Sequence, residues 1–301
     1  MKCVFSRLYV CLLFGALQGG ASAADISLTA SDSGAASSFN TAGSWSNGQA
    51  PQSTNDYFTS TFVLQTPNGA AASTFLGNSL TLDSGGSLVY AGPSGGSITV
   101  NDLSFAGGSF GMSNAGGTDY PMFLYGNISL PSATTSTVSS TRNAVRRTIN
   151  MYADISGNGH LRLEFRRWFN FFGSNTYRGD TIIETYTPAE CVTTYEAGSS
   201  SVLVINGDGD NSQIRGNGAL VMNGLLNLDV ANAVGKGSWV LIDTNNLQSL
   251  SYGASFSLST TAGGNFQENA GVWTIGQTWV YTEATGVLER FLPPGTLITL
   301  Q

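Results

Sequence analysis

Seven of the nine arginines that follow Arg7 lie between Arg142 and Arg178, and they interleave with rings in Phe165-Arg166-Arg167-Trp168-Phe169-Asn170-Phe171-Phe172. A guanidinium presents a fork of donors that matches a carboxylate or sulfate, and an indole offers a flat face to a sugar. Arg166, Arg167 and Trp168 are therefore the candidate contacts for an acidic polysaccharide. The segment also has a structural reading, in which its rings pack onto the fold and the arginines pair with Glu164, Asp180 and Glu184. Cleaving a glycan requires more, namely a base for proton abstraction or two carboxylates across the scissile bond. Arg166, Arg167, Asp180, Glu184 and Glu190 are the residues of suitable type. Strand alternation puts Asp180 and Glu184 on one face but roughly 13 Å apart, wider than a glycosidase pair. The spacing favours a solvated strand face, so no catalytic residue is assigned.

Other reactive types are sparse. His160 is the sole histidine; it follows the corner Gly157-Asn158-Gly159, while the similar corner Gly216-Asn217-Gly218 is followed by Ala219. An inert residue at the equivalent place marks His160 as a surface residue. The run Asn206-Gly207-Asp208-Gly209-Asp210-Asn211-Ser212 resembles a calcium loop, yet the distal glutamate of an EF-hand is replaced by Ala219 or Val221. A tight turn or a looser calcium site remain as its readings. Zinc-type clusters, phosphate loops and Ser-His-Asp patterns are not evident, and neither a cofactor nor a metal is expected.

Lys2 and Arg7 precede an apolar run from Leu8 to Leu17 and the small-residue motif Ala21-Ser22-Ala23. Residues 1–23 therefore read as a signal peptide, with the mature chain starting at Ala24 in the secreted or cell-surface compartment. The run is too short for a transmembrane helix, and no later stretch reaches the necessary length. Cys3 and Cys11 leave with the signal, so Cys191 has no partner for an internal disulfide and reads as an inert thiol. The net charge of −7 becomes more negative on cleavage and argues against a nucleic-acid binder.

Elements that would position these groups emerge from an internal repeat. The segment Leu80-Thr81-Leu82-Asp83-Ser84-Gly85-Gly86 returns as Leu103-Ser104-Phe105-Ala106-Gly107-Gly108, an offset of about 23 residues. Apolar residues alternate with small polar ones, and a glycine corner follows, as expected of one coil of a stacked β-structure. Helical periodicity is not evident. The fold class is all-β: a right-handed parallel β-solenoid at 24–197, with residues 25–53 as its N-terminal cap and Trp45 as the lid. A β-rich section at 198–301 continues or caps it, in solenoid or sandwich form.

Ile155-Ser156-Gly157-Asn158-Gly159-His160-Leu161, followed by Gly173-Ser174-Asn175-Thr176-Tyr177-Arg178-Gly179-Asp180-Thr181-Ile182-Ile183, resembles the unit G-x-G-x-L … G-x-N-T-Y-x-G-x-T-x-I of bacterial autotransporter-associated β-strand repeat proteins. The stretch from Ile205 to Leu288 is similar to the closing segment of such chains. The resemblance implies an exported, passenger-like protein and carries no catalytic residues. The residues after Gly198 are too few for a membrane barrel and the tail lacks a sorting anchor, which implies a released or indirectly attached protein. The expected function is structural or adhesin-like, through extended surface contacts with a polysaccharide or cell-surface component. A carbohydrate-active enzyme or a glycan-binding module on a β-helix is the alternative.

Overall fold

The computed structural model describes residues 23–112, 120–131, 134–139, 147–165, 168–185, 192–206 and 211–292. Arg166, Arg167, Glu190, Cys191, Asp208, Asp210 and the leader lie outside the described residues. The described chain contains no helix and winds into a parallel β-solenoid of about six turns with three faces.

Strands are numbered along the chain. Face A stacks β4 (Ala72–Thr74), the first half of β7 (Ser97–Ala106), the first half of β9 (Tyr120–Leu130), β11 (Arg147–Met151), β14 (Trp168–Phe171), β17 (Val192–Tyr195), β20 (Ala219–Met222) and β23 (Ser249–Tyr252). Face B stacks β1 (Ala24–Ser27), β2 (Asn55–Phe58), β5 (Ser79–Asp83), the second halves of β7 and β9, β12 (Asp154–Gly157), β15 (Ser174–Asn175), β18 (Ser200–Asn206), β21 (Leu225–Asn232) and β24 (Ser257–Thr260). Face C stacks β3 (Val63–Gln65), β6 (Ser87–Tyr90), β8 (Ser109–Met112), β10 (Thr135–Ser139), β13 (His160–Phe165), β16 (Thr181–Thr185) and β19 (Ile214–Gly216). Past the last coil, β22 (Gly237–Val240), β25 (Gln267–Asn269), β26 (Val272–Ile275), β27 (Trp279–Thr282) and β28 (Val287–Arg290) form an antiparallel sheet. Within residues 198–260 every strand but β22 continues the coils, and β22 joins the later strands in the cap.

The repeat read from the sequence is the ladder of face B: Leu80 pairs with Leu103 and Leu82 with Phe105. Alternation makes every second residue inward, and stacking then aligns like with like. Tyr57, Leu80, Leu103, Ile128 and Ile155 form one buried column in consecutive register. On face C the column is Leu64, Leu88, Phe110, Val138, Leu163 and Ile183.

The spacing of residues in the segment from Leu161 to Ile183 acquires a packing explanation. Leu161, Asn175, Tyr177, Thr181 and Ile183 all point inward and are buried. Gly179 sits where a Cβ would come 2.1 Å from the carbonyl oxygen of Gly159 in the coil below, a distance no side chain tolerates. Gly157 has φ +109° and opens the corner from face B to face C. Spacing in this motif therefore records which backbones touch and which side chains enter the core.

One inference from sequence fails here. Gly216 also has positive φ and also makes a corner, but it leads from face C to face A. Ala219 stacks between Val192 and Ser249, whereas His160 stacks on Thr135. The two Gly-Asn-Gly corners share turn chemistry and occupy different stations of the coil, so Ala219 says nothing about His160.

Candidate functional site

The acids of the proposed chemistry sit around the junction of faces B and C. Asp180 and Glu184 do lie on one outward face, flanking Ile182, which is sandwiched in register between Arg162 and Arg215. Both carboxylates are engaged. Asp180 Oδ1 accepts from the Gln213 backbone N–H at 3.0 Å, and Oδ2 accepts from Arg215 Nε at 3.2 Å. Arg162 lies 3.8 Å from Glu164 and 3.7 Å from Glu184, holding together two acids that stack directly on one another. Arg178 Nη1 bonds Asp229 Oδ2 at 2.7 Å. Glu164 and Glu184 are thus paired by Arg162 of the basic segment, whereas Asp180 is paired by Arg215 from outside it; Arg166 and Arg167, on which the structural reading of the segment centred, lie outside the described residues. At such exposure each pair contributes about 0–1 kcal/mol.

His160 is more involved than expected. Its Nδ1 accepts the Asp180 backbone N–H at 2.9 Å and lies 3.7 Å from Asp180 Oδ2. With Nδ1 accepting, the proton of the neutral ring belongs on Nε2. A polar cavity of about 520 Å³ opens beside it, lined among others by Asn158, His160, Arg178, Asp180, Gln213 and Arg215. The Asp180 carboxylate is committed to Arg215 and Gln213, so among the described residues lining the cavity there are donors to offer and no unengaged carboxylate to act as a base. Behind it, burial pushes the hydroxyls of Tyr177 and Tyr195 above the ordinary tyrosine range, so neither supplies a phenolate. Among the described residues no group of three or more His, Cys, Asp or Glu could hold a metal ion.

Face A carries the exposed rings. Alternation on β14 sends Trp168 and Asn170 outward and buries Phe169 and Phe171, while Phe172 just beyond the strand is half-buried. Trp168 is 48 % exposed and stacks on no described ring. Two residues further along the strand, Asn170 Nδ2 donates to Asn150 Oδ1 at 2.9 Å and the Thr194 hydroxyl donates to Asn170 Oδ1, a polar ladder running up the coils. At the next outward column Tyr125 stacks on Tyr152 at 5.2 Å and Tyr152 on Phe172 at 4.4 Å, the latter pair only 5° from parallel. Each stack contributes about 0.5–1.5 kcal/mol. Because these rings turn their faces toward one another, they present edges and two tyrosine hydroxyls to solvent. Trp168 is stacked on no described ring and keeps an exposed indole face, the geometry a sugar ring uses.

The sequence reading missed the Tyr125–Tyr152–Phe172 column. Its residues are separated by unequal intervals, because the coils differ in length, and only the register aligns them. Of the sequence candidates, the structure places Trp168 on face A and Asp180 and Glu184 on face C, so it does not bring them together. No helix among the described residues is long and apolar enough to cross a membrane. No family model, curated protein or solved structure matches this chain.

Proposed function

We propose that this chain is an exported β-solenoid of structural or adhesive type, akin to the autotransporter-associated repeat proteins of bacteria, which makes extended contacts through its lateral faces. The observation that carries the reading is the division of labour between faces: face A exposes rings, while Asp180 and Glu184 on face C are neutralised by arginines. The leader-like start at Lys2 to Ala23 and the G-x-G-x-L … N-T-Y-x-G unit support export and kinship. Many weak contacts along a rigid face sum to useful avidity.

A glycan-binding module is the second reading, favoured by the exposed indole of Trp168. Purified protein incubated with acidic and with neutral polysaccharides distinguishes the alternatives by retention on the polymer and release of new chain ends. Retention without release, weakened in Trp168→Ala and unchanged in Asp180→Asn, identifies a glycan binder. Release of chain ends that disappears in an Asp180→Asn plus Glu184→Gln variant would overturn the proposal and make the protein an enzyme. Neither signal leaves a scaffold or adhesin whose contacts are made with other surface components.

A further inference from the structure

A solenoid exposes three strand edges at each end, and unpaired edges invite other strands. At the N-terminal end all three are met. The side-chain amide of Asn40 donates to Thr74 O at 2.7 Å and accepts from the Leu76 N–H at 3.1 Å, meeting the C-terminal end of β4 and the amide just beyond it. Ser46 N donates to Ser27 O on β1, and Asp32 N donates to Val63 O on β3, both at 2.8 Å. At the C-terminal end β24 is covered by Phe266 N donating to Leu258 O and by Thr260 N donating to Gly264 O. Likewise β19 is covered by Asp243 N donating to Ile214 O and by Leu241 O accepting from Ile214 N. The exception is β23, whose outer edge no described residue pairs.

The direction of the vacant groups follows from alternation. Gly253 N donates inward to Met222 O, so N–H and C=O of Tyr252 and Leu250 point the other way. Directly beyond this edge lies a cavity of about 530 Å³ between β23 and the antiparallel cap, lined by Leu247, Leu250, Tyr252, Val272, Glu283 and Ala284 among others. Inward columns Leu220–Leu250 and Met222–Tyr252 end there. One more strand on β23 would drop alternate side chains into that cavity, in line with both columns. The floor is fixed in advance, since Tyr252 and Tyr281 hydroxyls bond at 2.6 Å and Trp273 Nε1 donates to Glu283 Oε1 at 2.7 Å.

We propose that the outer edge of β23 and the cavity beside it form a docking slot for an extended peptide segment of a partner protein, with apolar side chains at alternate positions and a basic residue flanking them. The backbone ladder supplies affinity and the cavity selects side chains, as in strand addition generally. The basic flank follows from charge: Glu283 is the charged side chain lining the cavity, on a chain of net charge −7. The inference rests on the fold alone and stands whether or not the lateral faces bind glycans.

The test is a set of labelled heptapeptides with lysine at both ends and Val, Leu, Phe or Tyr alternating with Thr, titrated into the full chain by fluorescence anisotropy. Saturable binding is expected, with slowed hydrogen exchange at the Leu250 and Tyr252 amides. N-methylation of the peptide on the edge that meets β23 should weaken binding roughly tenfold for two lost hydrogen bonds, and N-methylation on the other edge should not. Leu250→Pro, which removes an outward N–H and no bond to β20, should lower affinity likewise, and Ala284→Trp should do so by filling the cavity. No binding by any member of the set, or binding indifferent to the position of N-methylation, overturns the proposal. So does an edge already protected in a dimer, which would make a second copy its occupant.

Discussion

The two ends of this solenoid face the same problem and treat it differently. At the N-terminal end one short segment does everything. Trp45 drops onto Tyr57 at 4.9 Å, edge to face, and near Phe75, while Phe39 packs on Phe75 at 5.2 Å. Asp32, buried, accepts from Ser38 N, Ser38 Oγ and Gln65 N, tying that plug to face C. Apolar column and strand edges are sealed together. At the C-terminal end a separate antiparallel sheet covers the column, hinged where Leu241 N and Ile242 N donate to Gly286 O, and face A is left with an open edge. Covering a core and satisfying its edges are thus separable tasks, and an end that performs only the first keeps a place for something else.

Four measurements would break or sharpen that contrast. Trp45→Ala should cost about 3–5 kcal/mol, because it opens the first coil and strands Ser38 O, which now accepts from Trp45 Nε1 at 2.6 Å. Denaturant unfolding checks it, and a loss comparable to a surface substitution would mean the plug is not what seals this end. Asn40→Ala should cost about 1–2 kcal/mol and expose the edge of β4, giving the N-terminal end the vacancy that β23 has. Sedimentation of the variant should reveal self-association absent from the parent; a monomer would show that an open edge needs more than vacancy to recruit a strand.

At the other end Tyr281→Phe should cost about 0.5–1.5 kcal/mol by removing its bond to Tyr252. Hydrogen exchange should quicken in β23 and β26 and remain unchanged around Trp45. The last effect is alkaline. Burial pushes Tyr252 up to about 12, above the value near 10 of an unfolded tyrosine. The unfolded chain therefore ionises first, and this contribution to stability, complete below pH 10, is lost as pH rises to about 12. Tyrosinate absorbance should report loosening of the C-terminal cap, and Tyr281→Phe should move its midpoint.

What the residues disclosed by themselves is the local rule of the fold. Alternation in Leu80-Thr81-Leu82 and Leu103-Ser104-Phe105 implied both inward columns and their register, since identical patterns stack best when aligned. Trp45 was legible as a lid because a large ring in a small-residue segment has few other uses. Candidate chemistry was legible only as residue type. Alternation put Asp180 and Glu184 on one face, but whether they were available depended on Arg215 and Arg162, which come from other coils. Matching corners at Gly157 and Gly216 misled because turn chemistry is local and does not say which faces a turn connects. The column Tyr125–Tyr152–Phe172 and the vacant edge of β23 exist only once coils of unequal length are stacked. Periodicity therefore determined that the chain would coil and which side chains would enter it, because burial repeats with the strand. Tertiary structure alone decided which outward groups meet and which edge stays open, because those contacts join residues from different coils.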